Sequence, residues 1–381
     1  MKIELIKKER EKLLENLPLR GEPDSPSFKY YTSIKEDEIL PLYRTDLKKC
    51  AGMQTRYTLH NGSPCRFLGS EKFQYGSILE HEDEIDAELF FPKSDNKLEI
   101  LNQVKFKDGM FLKIPSNFAS DKLYEIISTN EENHVSRHYM EIGDNTQVSF
   151  IVNYIISSNT TVSNSSVIKL GENSNLTLYL LEDSSLSSFN NLNLHVFMDR
   201  YSTLKIFHLS VYGLKDITKI IMNHRDQYSD SNYFGSAIGK KTNHLDLEVL
   251  SNHQKPMEKN NINFKGILGN KSSIIFRGNI KINEESKGTE SFLMANLLLL
   301  SKEAVGNAIP TLEIYNGNVR SKHGETVSSI PEEQILYLES RGIETKEAKK
   351  LILEGFIYPI IEPVPDNIKE KYLSLVDEIV E

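Results

Sequence analysis

The sequence predicts a mainly β protein whose core is a parallel β-helix (solenoid), flanked by an N-terminal and a C-terminal helical region. Three observations predict it. Short runs of alternating apolar and polar residues fill the middle of the chain, broken by Asn, Ser, Asp and Gly. One run repeats at a constant step of 28 residues: Asn145-Thr146-Gln147-Val148-Ser149-Phe150 returns as Asn173-Ser174-Asn175-Leu176-Thr177-Leu178 and as Tyr201-Ser202-Thr203-Leu204-Lys205-Ile206. At both ends of the chain the apolar residues change to helical spacing.

Alternation puts every second side chain on one face of a strand. A fixed period of this length marks a stack of coils, each too small to bury its apolar face alone. Asn and Ser suit the corners because their side chains bond nearby backbone groups. A related form, Lys271-Ser272-Ser273-Ile274-Ile275-Phe276, extends the pattern. On the repeat alone an ordinary β-sandwich remains open.

The elements follow in order. Residues 1–85 read as helical and irregular. Ile3, Ile6, Leu13, Leu14 and Leu17 fall near helical spacing, and Pro18 and Gly21 end that helix. Pro23, Ser25 and Pro26 mark a loop before Phe28-Lys29-Tyr30-Tyr31-Thr32. The run His81 to Glu88 reads as a solvated acidic loop. Residues 86–315 form the predicted β-helix core. Residues 316–381 return to helix: Ser329 and Glu332 fit a capping box, Gly342 suits a helix stop, and Thr345 can cap a helix ending at Gly355. Beyond Pro363 and Pro365, Ile368, Tyr372, Leu375, Val376 and Ile379 make an apolar stripe, which fits core packing or a docked partner.

Composition excludes several classes. With 45 basic and 54 acidic residues, the net charge of −9 argues against nucleic acid as the main partner. No long apolar run suggests a membrane span, and Met1 to Glu4 opens a mixed-charge segment, so a cytoplasmic protein is expected. Two cysteines, Cys50 and Cys65, rule out a disulfide framework and a four-cysteine zinc site. They also cannot supply four thiolates to an iron–sulfur cluster, and they read as structural or incidental thiols. The phosphate-binding pattern G-x-x-x-x-G-K-[ST] and the G-x-S-x-G elbow are absent, so no nucleotide is expected on this chain.

Candidate chemistry centres on His323. If residues 321–325 are extended, Ser321, His323 and Glu325 share one face, and imidazole and carboxylate both bind iron. Other histidines are weaker. His134 and His138 have a spacing that binds metal on a helix, but no third ligand stands near them. His253 with Asp246 suits coil packing, and His195 and His208 sit in strands with neighbours to satisfy them. Glu284 and Glu285, adjacent on a strand, would point to opposite faces.

The stretch 276–356 carries several short motifs in a fixed order. They are Phe276-x-Gly278-x-Ile280, Asn296-Leu297-Leu298-Leu299-Leu300-Ser301, Pro310-Thr311-Leu312-Glu313-Ile314 and Asn318-Val319-Arg320-Ser321-Lys322-His323-Gly324-Glu325-Thr326. Tyr337-Leu338-Glu339-Ser340-Arg341-Gly342-Ile343, Glu347-Ala348 and Gly355-Phe356 follow. In this order and spacing the chain resembles the SufB/SufD family of iron–sulfur cluster assembly scaffolds, over residues 244–360 above all. The resemblance implies a right-handed β-helix between two helical parts. It implies pairing with a homologous SufB-like subunit through the β-helices, and docking of a SufC-like ABC ATPase on the C-terminal helices. Tyr337, Arg341, Leu351 and Phe356 are the candidate docking residues. It further implies that a transient iron–sulfur cluster, shared with the partner subunit, forms near the interface, with His323 matching the implicated SufD-like histidine.

One departure matters. Many members of that family carry Cys where this chain has Ser321. The missing thiol and Gly324 favour a SufD-like, non-enzymatic subunit, with Glu325 as a further candidate ligand. Two alternatives stand beside it: a homodimeric scaffold combining both subunit roles, and a β-helix polysaccharide lyase or carbohydrate-binding protein. The scarcity of cysteine weighs against the first, and the absence of tryptophan against the second.

Overall fold

The computed structural model describes residues 2–19, 32–44, 57–67 and 72–380. Gly21, Pro23, Ser25, Pro26, the segment from Phe28 to Tyr31 and Cys50 lie outside them.

The core is a parallel β-solenoid of about eight turns. It opens with β1 (Tyr57–His60), β2 (Ser63–Phe67), β3 (Gln74–Ser77), β4 (Met110–Ile114), β5 (Ala119–Asn130) and β6 (His134–Ile142). It continues through β7 (Gln147–Ile156), β8 (Thr161–Leu170), β9 (Asn175–Ser184), β10 (Phe189–Met198), β11 (Thr203–Tyr212), β12 (Lys215–His224) and β13 (Asp230–Gly239). The last strands are β14 (His244–His253), β15 (Lys259–Leu268), β16 (Ser273–Ile282), β17 (Glu290–Leu299), β18 (Val305–Ile314) and β19 (Arg320–Ser329). Odd strands from β5 to β19 stack in one sheet and even strands from β4 to β18 in the other, so each turn contributes one strand to each sheet.

The repeat has a simple cause. From β7 to β11 the strands are 10 residues long and four-residue corners join them, which gives the 28-residue step. At one corner Asn117, Asn145 and Asn173 adopt φ of 61°, 53° and 54°, the left-handed region that Asn tolerates better than most residues. Their amides form a ladder: Asn145 Nδ2 donates to Asn117 Oδ1 (3.3 Å) and Asn173 Nδ2 to Asn145 Oδ1 (2.9 Å). Corner hydroxyls close the turns, as where Thr160 Oγ1 donates to Ser157 O (2.7 Å) and Ser188 Oγ to Ser185 O (2.7 Å).

Columns of inward side chains in exact register fill the interior. One runs Phe150, Leu178, Ile206, Tyr233, Ile262 and Leu293, and all six are buried. Burying such side chains supplies roughly 1.5–3 kcal/mol each, which a lone coil could not realise.

Helices cover the outer faces of the two sheets. The N-terminal ones are α1 (Lys2–Asn16), α2 (Glu36–Ile39), α3 (Ala87–Phe90) and α4 (Lys97–Lys105). They bury Ile3, Leu14, Phe90, Leu98 and Leu101 with Tyr139, Val167 and Ile217 of the even-strand sheet. Arg137, fully buried, ties the two layers together: Nε donates to Phe90 O (2.8 Å) at the end of α3, and Nη1 to Asn102 Oδ1 (3.2 Å) and Ser165 Oγ (2.7 Å). At the other end, α5 (Glu332–Glu339), α6 (Thr345–Ile361) and α7 (Asp366–Val380) follow the last strand. Leu353, Ile357, Ile368, Tyr372 and Val376 pack on Phe207, Leu209, Ile238 and Ile267 of the odd-strand sheet. The stripe on α7 is therefore core.

Several elements differ from expectation. Strands β1 to β3 lie within the region read as helical and irregular, while α4 lies within the predicted solenoid span. Asn96 caps α4 by accepting from the N–H groups of Leu98 and Glu99, a cap that outweighs its short apolar run. Strand β19 falls in the region read as helical, because it completes a sheet against β17. Ser329 ends that strand instead of capping a helix, Pro331 is the N-cap of α5 and Glu344 that of α6. Helix α6 runs through Gly355 and Pro359, held by burial of Ile357, Ile360 and Ile361. Glu284 and Glu285 lie in the turn after β16, not on a strand. Among the described residues no helix is long and apolar enough to cross a membrane.

Candidate functional site: the open end of the solenoid

Strands β18 and β19 are the last in their sheets, each bonded to a neighbour on one side only. Register places His323 opposite Leu293, Glu325 opposite Ala295 and Ser321 opposite Ser291. All three partners are buried and face the core. Ser321, His323 and Glu325 therefore do share one face, and it is the inward one. Each stands where the coil below carries a core residue, yet His323 and Glu325 are exposed and Ser321 is half-buried. The cause is positional: among the described residues no further coil covers them.

This arrangement has a chemical consequence. Same-face neighbours on a strand stand roughly 7 Å apart, within reach of one ion held by two flexible side chains. Water solvates the imidazole and carboxylate while the end is open. A body stacked on the end would remove that water, and a carboxylate buried without a counter-charge is strongly disfavoured. The Ser321 oxygen is already out of solvent with no hydrogen-bond partner. Around these polar groups the last coil presents Ala308, Leu312 and Val319, packed on the core from its edge, and the exposed Ile314 and Val327. Gly324 leaves room beside Met294, whose Sδ would stand 3.0 Å from an added Cβ.

The other predicted residues lie on the C-terminal helices. Tyr337 and Leu351 are 59% and 41% exposed, beside an equally bare Leu336 at 61%. The Arg341 guanidinium lies 5.4 Å over the Tyr337 ring. Phe356 differs: it is half-buried in the helix–sheet packing, and Lys265 Nζ, 4.9 Å over its ring, donates to its carbonyl (2.5 Å).

The remaining histidines are interior. His134 and His138 lie on β6, not on a helix, and His138 Nδ1 accepts from Met110 N (2.9 Å). Burial lowers the His138 ring to about 3, so it stays neutral. His195 pairs with Glu99 (2.6 Å) and His208 with Glu182 (2.6 Å), in strands as expected but each against a buried carboxylate. His253 meets Glu258 (3.2 Å) while Asp246 pairs with Arg277. Cys65 is disulfide-bonded, not a thiol, and among the described residues no free cysteine remains. His224, His253 and Glu258 also come together, a grouping that no short motif marks; the separation of the two histidines by one coil is its signal in the sequence.

Residues 126–356 match the family described as SUF system FeS cluster assembly, SufBD core domain. The chain belongs to the SufBD family. Its SufBD core spans the coils from β5 to the open end and continues into α6. An iron–sulfur cluster assembly SufBD family protein of Staphylococcus haemolyticus is 26% identical over 321 residues, covering 76% of this chain and 64% of its own length. Relatives of the same description in Staphylococcus epidermidis and in a Staphylococcus aureus strain are 27% and 26% identical over the same extent. The chain thus spans about 64% of the length of these relatives.

Proposed function

We propose that this SufBD protein is a SufD-like, non-enzymatic scaffold subunit of an iron–sulfur assembly complex in the cytoplasm. In this reading the open end pairs with a SufB-like homologue. The observation that carries it is the placement of His323 and Glu325 on the core face of an uncovered coil. Strand edges and an apolar rim there suit a second solenoid end. The imidazole and carboxylate would then become ligands for iron in a transient cluster, the complex's cargo. Ser321, in place of the thiol common in the family, leaves the thiolates to the partner. Without a nucleotide loop of its own, the chain would take its energy from a SufC-like ATPase. The exposed Leu336, Tyr337, Arg341 and Leu351 offer that ATPase a docking surface. Closure of the bound ATPases would pull on the C-terminal helices and shift the interface, opening His323 to iron and sulfide.

The test is anaerobic co-expression with SufB-like and SufC-like proteins of the same host. All three should be recovered together, and His323→Ala should keep the complex but lower cluster formation. A chain that purifies alone, or an H323A complex that assembles clusters like wild type, overturns the reading.

A further inference from the structure

We propose that His224, His253 and Glu258 form an internal site for one divalent transition-metal ion of the zinc or ferrous class. This goes beyond the assembly reading, since it involves neither the open end nor a partner.

One inward column carries both histidines. Read through the register of the even-strand sheet, it runs Ile142, Leu170, Met198, His224, His253, Ile282 and Ile314. Five positions are apolar, and two adjacent coils carry imidazole instead. Both histidines and Glu258, from the corner between β14 and β15, are fully buried. One ligand atom from each lies within 4.8 Å of the others. His253 Nδ1 and Glu258 Oε2 are 3.2 Å apart, close to the roughly 3.4 Å that separates two ligand atoms around a tetrahedral zinc-sized ion. Two imidazoles and one carboxylate are a donor set suited to zinc and iron, with a fourth position left open.

The surroundings orient the ligands as an outer shell does. Ser229 and Ser231 each lie 2.8 Å from a ring nitrogen of His224. Ser251 and Ser291 hold His253 Nε2 at 3.1 and 3.2 Å, leaving Nδ1 toward Glu258. The N–H groups of Gln254 and Lys255 donate to the two Glu258 oxygens (3.0 and 2.9 Å) and fix their direction. The two imidazoles are stacked, with centroids 4.4 Å apart and planes at 22°. Closing on an ion therefore requires one ring to turn into the common plane. His224 is the freer ring, since its partners are serine hydroxyls, whereas His253 also meets Glu258.

The experiment uses the full chain, stripped with chelator and then dialysed against Co2+ or Zn2+ alone. Wild type should retain one equivalent, with the visible absorption of tetrahedral Co2+, and Zn2+ should raise its melting temperature. E258Q, which keeps the shape and one backbone contact, should lose more than about tenfold in affinity. H323A should bind as wild type does. X-ray absorption of the wild-type Zn2+ form should count two imidazoles, a readout that needs no variant to fold. No retained ion, full binding by E258Q, or binding lost in H323A would overturn the proposal, the last by moving the ion to the open end. Because the readout is metal on the isolated chain, failure here leaves the assembly reading standing, and the converse holds.

Discussion

At the first coil, Phe73 lies across the interior with its ring 5.0 Å from Phe118, 5.1 Å from Tyr124 and 6.5 Å from Phe150. Strands β2 and β3 run antiparallel to β1 and β4 and occupy the outermost place in each sheet. At the last coil, the column that began at Phe150 ends on His323, the neighbouring one ends on Glu325, and β18 and β19 carry bare edges. One end is closed by aromatic packing and antiparallel strands from the same chain. The other ends on parallel strands, with Ser321, His323 and Glu325 on the core face inside a rim that includes Leu312, Ile314 and Val327. The contrast teaches that exposure at a solenoid end is a property of position: His323 and Glu325 stand in core columns and are exposed because they end them.

The sharpest break of this contrast is at the closed end. Phe73→Ala should lower stability by about 3–5 kcal/mol through the cavity it leaves. Urea unfolding would measure it, and a loss below about 1 kcal/mol would mean that the aromatic plug does not close the core.

A second difference is electrostatic. The N-terminal cover docks on the even-strand sheet through Glu99 of α4 and His195 of β10. Burial alone would raise the Glu99 carboxyl, but attraction to His195, helped by Lys219 and a hydrogen bond from Ser94, outweighs burial and holds it down at about 2. A depressed carboxyl stabilises the fold above its unfolded value near 4.5 and loses that contribution as pH falls through about 2. The full effect is on the order of 3 kcal/mol. Hydrogen exchange of α4 should therefore accelerate across that acid window. E99Q should flatten the dependence, and equal acceleration in wild type and E99Q would refute the assignment.

Corners between the two ends give a smaller effect. Asn145→Ala forces alanine to φ near 53° and cuts the amide ladder on both sides. A loss of about 1–2 kcal/mol is expected in thermal or urea unfolding. Asn145→Gly should recover most of the backbone part; if both variants cost the same, the ladder and not the turn carries the position.

These positions also show what the sequence makes legible. The period is visible at Asn145, Asn173 and Tyr201 because the corners there have equal length. It fades once only two residues join β11 to β12 and seven join β16 to β17. Helix α4 hides because its apolar residues Leu98, Ile100 and Leu101, set around Glu99, make a short pattern that a strand would also allow. The shared face of Ser321, His323 and Glu325 follows from a spacing of two, but its inward direction does not. That depends on register against Leu293 and Ala295, which only stacking fixes. The buried partners Glu99 and Glu182 were illegible for the same reason: each meets its histidine across layers or coils, not along the chain.

The smallest stability effect belongs at the open end, and its smallness is the point. His323 is exposed and among the described residues no hydrogen bond holds it, so H323A should change the unfolding free energy of the isolated chain by less than about 0.5 kcal/mol. The inward rows just below behave differently, since Leu293→Ala should lose about 2–5 kcal/mol one coil away. A residue in a core column that contributes nothing to the core is free to serve whatever covers it. On the proposed SufD-like reading, the same H323A variant in the co-expressed complex should show its deficit in cluster formation alone. A large stability loss on the isolated chain would instead make His323 part of this chain's own packing and remove the reason to place a ligand there.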